Sequence, residues 1–303
     1  MHSKIGLVTI TFNSEEVIEG FMNSVNAQDY PNYCLYVVDN NSKDNTLKIV
    51  DALGDKNKVV IVKNDFNNGV AGGNNQGISK ALKDGCEYII LINNDTEFEA
   101  ALISKLWRTS EELKYSILVP KMLYYSEPDI IWFAGGYLKK SEGYRNHHIG
   151  SGEKDKGQYP DREITYAPTC CALIHRSVFG DIGLMDEKYF VYYDDTDFWY
   201  RVLKHGKHKM WLLSDIKFYH KVSSLTKSKN GTRLNFKFGD FFVRYSTRNR
   251  VYYLRKQKTV RSFFNLFSFW FRVNMRFLLT GKYERNIKTW KLIQTSFWEG
   301  LKL

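Results

Sequence analysis

The first hundred residues alternate between short β-rich segments and segments with helical periodicity, and this alternation limits the possible folds more than any other feature of the chain. Four apolar, β-branched segments are predicted to be buried strands: Lys4–Phe12, Cys34–Asp39, Lys58–Asn64 and Tyr88–Asn93. Helical patterns lie between them, and the third opens on Gly72 and closes on Gly85, a residue type that commonly ends helices. Strands that are apolar throughout and are joined by helices predict an α/β fold with a mainly parallel sheet.

Each predicted strand ends in polar residues. These ends are Thr11–Asn13, Asp39–Asn41, Asn64–Asn68 and Asn93–Asp95. Ligands of open parallel sheets bind outside the carboxyl ends of the strands, so we expect a ligand site at this edge. No GxGxxG sequence follows the first strand and no GxxxxGK[ST] sequence occurs, which excludes the two commonest glycine-rich nucleotide motifs.

Three of these polar segments each have two interpretations. Asn93-Asn94-Asp95 is either a polar turn at a strand end or a site for a hard cation, which prefers oxygen ligands. Asp39 either accepts hydrogen bonds from its own turn or accepts one from a pyrimidine N3–H. The glycine-rich segment 67–78 is either a flexible connector or a place where backbone approaches a ligand closely.

The second half of the chain contains a second cluster of carboxylates. Residues 194–206 are predicted to form a helix capped by Asp or Thr and ended by Gly206, with three aspartates in its first turn. The helix dipole favours acidic residues there, but it does not explain why they follow the aromatic run YFVYY. The polar stretch 139–164 is predicted to be a surface loop in which His147 and His148 are solvated.

The charge of the chain is concentrated at its C-terminal end. The net charge is +11, but residues 233–303 alone carry 16 Lys or Arg and 3 Asp or Glu, a net of +13. Such a segment favours an anionic membrane, an anionic ligand or nucleic acid as partner. Because no nucleic-acid-binding motif accompanies the charge, we do not expect a nucleic acid.

Two amphipathic helices are predicted within this basic segment. In Arg261–Leu279 most polar residues lie on one narrow strip, and the polar residues make the segment a poor membrane span. The strip contains Arg261, Asn265, Ser268, Arg272 and Arg276. The rest is apolar, which is typical of an interfacial helix, and residues 284–303 have a similar pattern. The alternative is a helical pair packed on the rest of the chain or on another subunit.

Eight segments, taken in order, resemble the inverting glycosyltransferases of family 2, which have a Rossmann-like GT-A fold. They are TFN, VVDNNSKD, NNGVAGGNNQGI, INNDTEF, CALIHRSVFGDIGLMDEKYF, YYDDTDFWYR, FYHKVSS and YSTRNRVYYL. Within the family the chain is most similar to bacterial rhamnosyltransferase-type members that build cell-surface polysaccharides. The resemblance extends from about Ile5 to Tyr253.

The resemblance implies a role for each matching residue. Asp195 matches the catalytic base, although Asp194 stands where the family usually has Glu. The nucleotide sugar would contact Thr11, Asn13, Asp39, Asn67, Gly69, Asn75, Asn94 and Asp95. The same motifs imply Mg²⁺ or Mn²⁺ as cofactor, with ligands from Asp95, Asn93 and His220. The acceptor side would include Asp194, Asp197 and Arg201.

These roles imply transfer of a sugar from a nucleotide donor to a hydroxyl of a growing, lipid-linked cell-surface glycan. The expected donor is dTDP-rhamnose, with a UDP-hexose as the alternative, and a non-catalytic protein that binds nucleotide sugars or glycans is the second class of function. We expect a GT-A domain over residues 1–235, with a nucleotide half (1–98) and an acceptor half (99–235), followed by the basic helical segment 236–303. The four cysteines include no CxxC pair, and the N-terminus is too quickly polar for a signal peptide. A cytoplasmic enzyme, peripheral at the inner face of the membrane and with a possible homo-oligomeric form, is therefore expected.

Overall fold

The structure is a computed structural model, and it describes residues 2–221 and 238–303. The expected boundary at residue 235 and the last three residues of the FYHKVSS segment lie outside these ranges. The strands are β1 (Ile5–Thr11), β2 (Tyr33–Asp39), β3 (Val59–Lys63), β4 (Tyr88–Ile92), β5 (Thr96–Phe98), β6 (Ile117–Pro120), β7 (Met122–Tyr124), β8 (Ile131–Phe133), β9 (Gly136–Lys139), β10 (Arg145–His148), β11 (Arg162–Ile164), β12 (Cys171–His175), β13 (Met210–Leu213) and β14 (Phe218–His220).

The helices alternate with the strands in the first half of the chain and follow one another at its end. They are α1 (Glu15–Asn26), α2 (Thr46–Leu53), α3 (Gly69–Lys83), α4 (Leu102–Leu113), α5 (Arg176–Ile182), α6 (Asp194–His205), α7 (Asp240–Lys256), α8 (Val260–Leu279) and α9 (Ile287–Lys302). A short 3₁₀ helix spans Lys140–Glu142.

The predicted α/β fold with a mainly parallel sheet is confirmed. Eight strands form one sheet in the order β11-β13-β6-β12-β4-β1-β2-β3. The pairs β1–β2, β2–β3, β1–β4 and β6–β13 are parallel, whereas β12 runs antiparallel to both of its neighbours. All four strands predicted in the first hundred residues are present and adjacent in space, so their polar ends lie along one edge of the sheet.

A second, four-stranded sheet has the order β5-β14-β7-β8. Strand β5 begins directly after the Asn93–Asp95 segment, and β14 ends at His220. Because β14 pairs antiparallel with β5 so that His220 is opposite Thr96, this pairing carries His220 to the carboxyl end of β4. The small sheet therefore brings Asp95 and His220, which are more than a hundred positions apart in sequence, to the same edge.

The glycine-rich segment is part of a helix that packs tightly on the sheet. Helix α3 begins at Gly69, so the prediction of a helix here is confirmed and the flexible-connector alternative is wrong. A Cβ atom at Gly73 would press on Ile10, and one at Gly77 would collide with Val8. Because these two glycines have no Cβ atom, the backbone of α3 can pack closely against β1.

The C-terminal helices are confirmed, and α7 packs against the α/β body. Val251, Tyr253 and Leu254 of α7 are buried, and Lys256 forms ion pairs with Asp186 and Asp197. Helix α9 lies so close to α7 that a Cβ atom at Gly300 would collide with the α7 backbone. The helical segment and the body thus form a continuous packed structure at α7.

Helix α8 keeps a broad apolar face in solvent. Its exposed apolar residues include Val260, Phe263, Phe264, Phe267, Trp270 and Phe271. On the opposite side Val273 and Phe277 are buried in a small core that also contains Ile293 of α9. In the described part of the chain, no helix is both long enough and apolar enough to cross a membrane.

The predicted surface loop at residues 139–164 is more ordered than the sequence indicated. It contains the 3₁₀ helix and strand β10, which pairs antiparallel with β9. Strand pairing aims successive side chains to opposite faces, so His147 and His148 have different surroundings. His147 stacks on Tyr137 and contacts Glu142, whereas His148 contacts the rings of Trp132 and Tyr166.

Candidate functional site

The carboxylate of Asp39 lies at the end of β2, held by three hydrogen bonds. The hydroxyl of Thr11, at the end of β1, donates to Oδ1 over 2.7 Å, and the backbone N–H and hydroxyl of Ser42 donate over 3.0 and 2.5 Å. These are the turn contacts that an Asx residue makes, as the simpler interpretation predicted. A carboxylate can accept about four hydrogen bonds, so one acceptor position remains for a ligand donor.

Asn13, Asn67 and Gly69 shape the loops around this carboxylate. Asn13 has a left-handed backbone (φ 51°), and its side-chain oxygen accepts from the N–H of Lys43, which ties the ends of β1 and β2 together. The side-chain oxygen of Asn67 accepts from the N–H of Gly69. Gly69 has φ 73°, and a Cβ atom there would collide with Phe190. Glycine is therefore required at position 69 by both conformation and space.

Asn75 and Asn94 use their side chains inside the protein. The Asn75 amide bonds both the N–H and the carbonyl of Met185, each at 2.9 Å. The Asn94 amide donates to the carbonyl of Ile10 and to the hydroxyl of Ser14. Asn94 lies at the predicted edge of the sheet and Asn75 lies in α3, and the hydrogen bonds of both residues hold neighbouring segments together.

Asp95 and His220 form the pair at the end of β4. Nε2 of His220 lies 3.4 Å from Oδ1 of Asp95, and both residues are buried. Burial alone would lower the pKa of His220, but Cys170 and Asp95 raise it to about 10. The Asn93 amide contacts the Cys170 sulfur at 3.4 Å, so the three predicted metal residues surround one thiol.

The residues around Asp95 fit a divalent cation. Ligands at right angles around a small divalent cation, with bonds of about 2.1 Å, stand about 3 Å apart, close to the separation of Asp95 and His220. Carboxylate oxygen and imidazole nitrogen are both accepted by Mn²⁺, whereas Mg²⁺ prefers oxygen. A cation bound here would take the place of the proton on the His220 imidazolium, which the Asp95 carboxylate stabilises.

Asp195, in the first turn of α6, is held as a hydrogen-bond acceptor. The Tyr166 hydroxyl donates to Oδ2 over 2.7 Å, and the N–H and hydroxyl of Thr196 donate to Oδ1. Burial raises the pKa of Asp195, and the Tyr166 and Thr196 hydrogen bonds lower it again. Burial and the neighbouring Asp195 charge raise the pKa of Asp194 to about 8. Because the hydrogen bonds favour an ionised Asp195, the proton that the pair shares near neutral pH resides on Asp194.

A row of rings connects the Asp95–His220 pair with Asp195. The Trp132 ring lies 4.3 Å from that of His220 and 5.5 Å from that of His148, and His148 lies 5.6 Å from Tyr166. The two carboxylates therefore lie at the two ends of one row of contacting side chains. The sequence analysis missed Trp132 and Tyr166. It placed His148 in a loop, whereas His148 belongs to strand β10 and its ring contacts both of these rings; the residue is solvent-exposed, as expected. Only the two-residue alternation of β10 could have indicated that His147 and His148 differ.

Asp197 and Arg201 are engaged elsewhere. Asp197 is 1% exposed and pairs with Arg201 and Lys256, at 3.0 and 2.9 Å. The Arg201 guanidinium also donates to the carbonyls of Ile182 and Leu184. Their contacts anchor α6 to α7 and to the end of α5.

The first turn of α6 also differs from its prediction. No Asp or Thr side chain caps this helix; the residue before it is Tyr193, whose backbone is left-handed (φ 67°) and whose side chain makes no capping bond. The predicted end at Gly206 is confirmed. None of the three aspartates is the N-cap residue of α6, so their carboxylates can make other contacts.

A second cluster with metal-ligand spacing lies at the other end of α6. Within the described ranges, the ligand atoms of Asp181, His205 and His208 all lie within 4.8 Å of one another. Asp181 already pairs with Lys207 at 2.7 Å and with His208 at 2.8 Å. This cluster is separate from Asp95 and His220, and its His205 lies ten residues from Asp195 along α6.

Comparison with known proteins gives a consistent family. The family model "Glycosyl transferase family 2" matches residues 7–183. The chain is 27% identical over 223 residues to the dTDP-rhamnosyl transferase RfbF of Shigella flexneri, covering 73% of this chain and 70% of RfbF. It is 25% identical over 203 residues to the low-salt glycan biosynthesis hexosyltransferase Agl10 of Haloferax volcanii, covering 66% and 62% of the two chains.

Solved structures share the fold at low sequence identity. Residues 1–349 of S. aureus TarS in complex with UDP-GlcNAc give a TM-score of 0.62 at 16% identity, covering 99% of this chain and 81% of TarS. The mannosyltransferase PcManGT of Pyrobaculum calidifontis, in complex with GDP-Man and Mn²⁺, gives 0.56 at 11% identity, covering 100% and 87%. The GT-A-type fold inferred from the sequence is confirmed.

Proposed function

The chain belongs to glycosyl transferase family 2 and is a glycosyltransferase, and from this premise we propose that it transfers a sugar, with inversion, from a nucleotide donor to a hydroxyl of a glycan. The observation that carries this proposal is the row of contacting rings that links a hydrogen-bonded Asp195 at one end with the Asp95–His220 pair at the other. Inverting transfer needs one carboxylate for the acceptor and stabilisation for the departing diphosphate.

On the donor side, Asp39 accepts a hydrogen bond from the N3–H of a pyrimidine base at its remaining acceptor position. Thr11 and Ser42 orient that carboxylate, and Asn13, Asn67 and Gly69 shape the surrounding loops. Asp95 and His220 hold a divalent cation, with Asn93 beside them. The cation, when bound, neutralises negative charge on the departing nucleoside diphosphate. Asn75 and Asn94 support these loops from inside.

On the acceptor side, Oδ1 or Oδ2 of Asp195 takes the proton of the acceptor hydroxyl. The hydroxyl oxygen attacks the anomeric carbon as the bond to the diphosphate breaks on the opposite face, and no covalent intermediate forms. Tyr166 and Thr196 orient the carboxylate, and the N-terminus of α6 favours its charge. Asp194 holds the shared proton and lets Asp195 remain ionised, while Asp197 and Arg201 keep α6 in place.

The donor we favour is dTDP-rhamnose, since the chain is similar over most of its length to a protein named as a dTDP-rhamnosyl transferase. A UDP-hexose is the alternative, because the hexosyltransferase Agl10 is similar to nearly the same degree and both bases present an N3–H. The nucleotide half is residues 1–98 and the acceptor half residues 99–235, with a basic helical segment from 236 to 303.

We also propose that helix α8 binds the cytoplasmic face of a membrane, where a lipid-linked glycan acceptor is held. Six apolar residues of α8, four of them phenylalanines, face solvent over three turns, and Arg261, Arg272 and Arg276 lie exposed beside them. Exposed aromatic surface with flanking arginines matches an anionic lipid surface in both polarity and charge. A homo-oligomer that covers the same face is the alternative.

The experiment that tests the transferase proposal measures nucleotide release from dTDP-rhamnose, UDP-glucose and UDP-N-acetylglucosamine with Mn²⁺ and a lipid-linked glycan acceptor. Asp195→Asn keeps the shape of the side chain and removes its basicity, so transfer should fall by about 10²–10⁴-fold. Asp181→Asn, the same substitution at a carboxylate of α5 near the far end of α6, is the matched control and should keep the parent rate. A near-parental rate for Asp195→Asn would mean that another group is the base. Binding of a donor without transfer under any condition would favour the non-catalytic alternative.

A further inference from the structure

The turn that leads into Asp195 has an unusual backbone. Tyr192 and Tyr193 are consecutive residues with φ 64° and 67°, and neither is glycine. Left-handed conformations are sterically costly for residues with a Cβ atom, and bulky aromatic residues adopt them only when the surroundings impose them. Asp195 is the second residue after this turn, so the turn determines where its carboxylate points.

The carbonyl groups of the turn need partners outside α6. The Tyr193 carbonyl already accepts the first bond of the helix, from the N–H of Asp197. The carbonyls of Val191 and Tyr192 precede the helix and both accept from one side-chain amide, that of Asn249 in α7, over 2.7 and 2.9 Å. A buried carbonyl without a partner is destabilising, so this amide serves two groups at once.

Asn249 is itself fixed in place. It is 0% exposed, and the guanidinium of Arg248 donates to its side-chain oxygen over 2.8 Å, which leaves the NH₂ group directed at the two carbonyls. The next residue, Arg250, lies 5.8 Å from the ring of Tyr193. Lys256, two turns farther along α7, pairs with Asp197. Helix α7 therefore contacts the backbone of the Tyr192–Tyr193 turn, the ring of Tyr193, and Asp197 in the first turn of α6.

We propose that Asn249 is a positioning residue for the transfer reaction: its amide holds the left-handed Tyr192–Tyr193 turn in the conformation that directs Asp195 toward Tyr166. This inference rests on the proposed function, because it takes Asp195 as the base. It gives a role to the YSTRNRVYYL segment, which the catalytic assignments leave unexplained. It also makes α7 a part of the active site, although α7 follows the acceptor half in sequence.

The test compares Asn249→Ala with Asn274→Ala, which removes an amide of α8 that bonds Gln294 far from the turn. We expect kcat for transfer to fall by about 10²-fold in Asn249→Ala, the effect of a small displacement of a catalytic group, with donor KM unchanged. The control should keep both values. Circular dichroism and the melting temperature measure the folded fraction, and kcat is expressed per folded protein.

A second substitution separates positioning from general stability. Tyr192→Gly removes the steric cost of the left-handed backbone, so in the Asn249→Ala background it should restore kcat by about tenfold relative to Asn249→Ala alone. If Asn249 only stabilised the fold, Tyr192→Gly would not raise kcat per folded protein in the Asn249→Ala background. Tyr192→Gly by itself supplies the reference rate.

The outcomes distinguish this inference from the proposed function. If Asp195→Asn loses activity but Asn249→Ala keeps its kcat, or loses only donor affinity, the positioning role is wrong and the base assignment stands. If Asp195→Asn keeps activity, the base assignment fails and the inference fails with it. If Asn249→Ala does not fold, Asn249→Ser, which retains one donor, is measured instead. Failure of both variants to fold would also overturn the proposal, since the amide would then serve the whole fold.

Discussion

The hydroxyl of Tyr166 donates a hydrogen bond of 2.7 Å to Oδ2 of Asp195; Tyr166 is buried, and Asp195 is partly exposed. A hydrogen bond to a carboxylate stabilises its ionised form and lowers its pKa. The bond therefore opposes the effect of burial, which raises the pKa of Asp195. The pH dependence of transfer should report this balance.

Tyr166→Phe and Asp194→Asn should have different effects on the acid limb of the pH–rate profile. Without the Tyr166 hydroxyl, the pKa of Asp195 rises, so the rate should begin to fall at a higher pH than in the parent. Asp194 holds its proton throughout the acid limb, because its pKa is raised to about 8, so Asp194→Asn removes no charge there and should leave the limb in place. Profiles of kcat/KM between pH 5 and about 9 measure both variants. Tyr159→Phe, which removes an exposed tyrosine hydroxyl bonded to Glu153, is the control. An acid limb that moves in Asp194→Asn as far as it does in Tyr166→Phe would contradict the arrangement.

Asp194 should also make the folded protein less stable as the pH rises. Its pKa is raised to about 8 in the folded protein, against an ordinary value of 3.8. The folded state therefore holds a proton that the unfolded state has lost between these two values, and stability falls with rising pH across that window. Asp194→Asn removes this loss.

The measurement for Asp194 is urea unfolding of the parent and Asp194→Asn at pH 5 and at pH 8. The gain in unfolding free energy from the substitution should be larger at pH 8 than at pH 5. Asp215→Asn, at a fully exposed carboxylate, should show no comparable difference between the two pH values. An equal effect of Asp194→Asn at both pH values would mean that the pKa of Asp194 is not raised in the folded protein.

How much of this site could be predicted from the sequence depends on distance along the chain. The alternation of strands and helices placed Thr11, Asp39 and Asp95 at one edge of a parallel sheet, because that edge follows from the connection rule alone. The rings of Trp132 and His148 come from strands of other sheets, and no local pattern distinguishes them from surface residues.

The contacts of individual side chains also could not be predicted from the sequence. Asn94 and Asp95 are neighbours of similar size, yet the amide of Asn94 bonds the backbone of Ile10 whereas Asp95 lies beside His220. Asp195 and Asp197 are two residues apart on a helix and therefore point to different sides of it, but only the fold shows that Lys256 of α7 pairs with the second carboxylate. These choices depend on partners that the fold supplies from remote positions.

Asp95→Ala should abolish the dependence of donor binding on a divalent cation. Asp95 and His220 are the pair suited to hold the cation, and loss of the carboxylate removes the only negative charge of that pair. Calorimetry of donor binding with and without Mn²⁺ measures the effect, and Asp215→Ala is the control at an exposed carboxylate. Asp181→Ala, in the separate Asp181–His205–His208 cluster, should leave donor binding unchanged. If Asp181→Ala, and not Asp95→Ala, lost the dependence of donor binding on Mn²⁺, the Asp181–His205–His208 cluster would be the metal site.

Substituting three phenylalanines of α8 should release the protein from anionic vesicles. Phe263, Phe267 and Phe271 are between 54% and 68% exposed and form a stripe along one side of the helix. Full burial of a phenylalanine stabilises binding by roughly 1.5–3 kcal/mol, and each nearby basic residue adds about 1 kcal/mol at an anionic surface. The parent should therefore float with phosphatidylglycerol vesicles and be released only partly by high salt, because salt screens charge and not apolar burial.

The triple Phe→Ser variant should stay in solution at high salt, while a triple Ser variant of Leu113, Tyr125 and Tyr137 should behave like the parent. This control also removes three half-exposed apolar side chains, but they lie on the α/β body. Point substitutions are a cleaner test than truncation after Tyr253, because Lys256 pairs with Asp197 and α9 packs closely on α7. A parent that ignores vesicles but forms an oligomer, which the Phe→Ser variant breaks into single chains, would show that this face of α8 contacts another subunit.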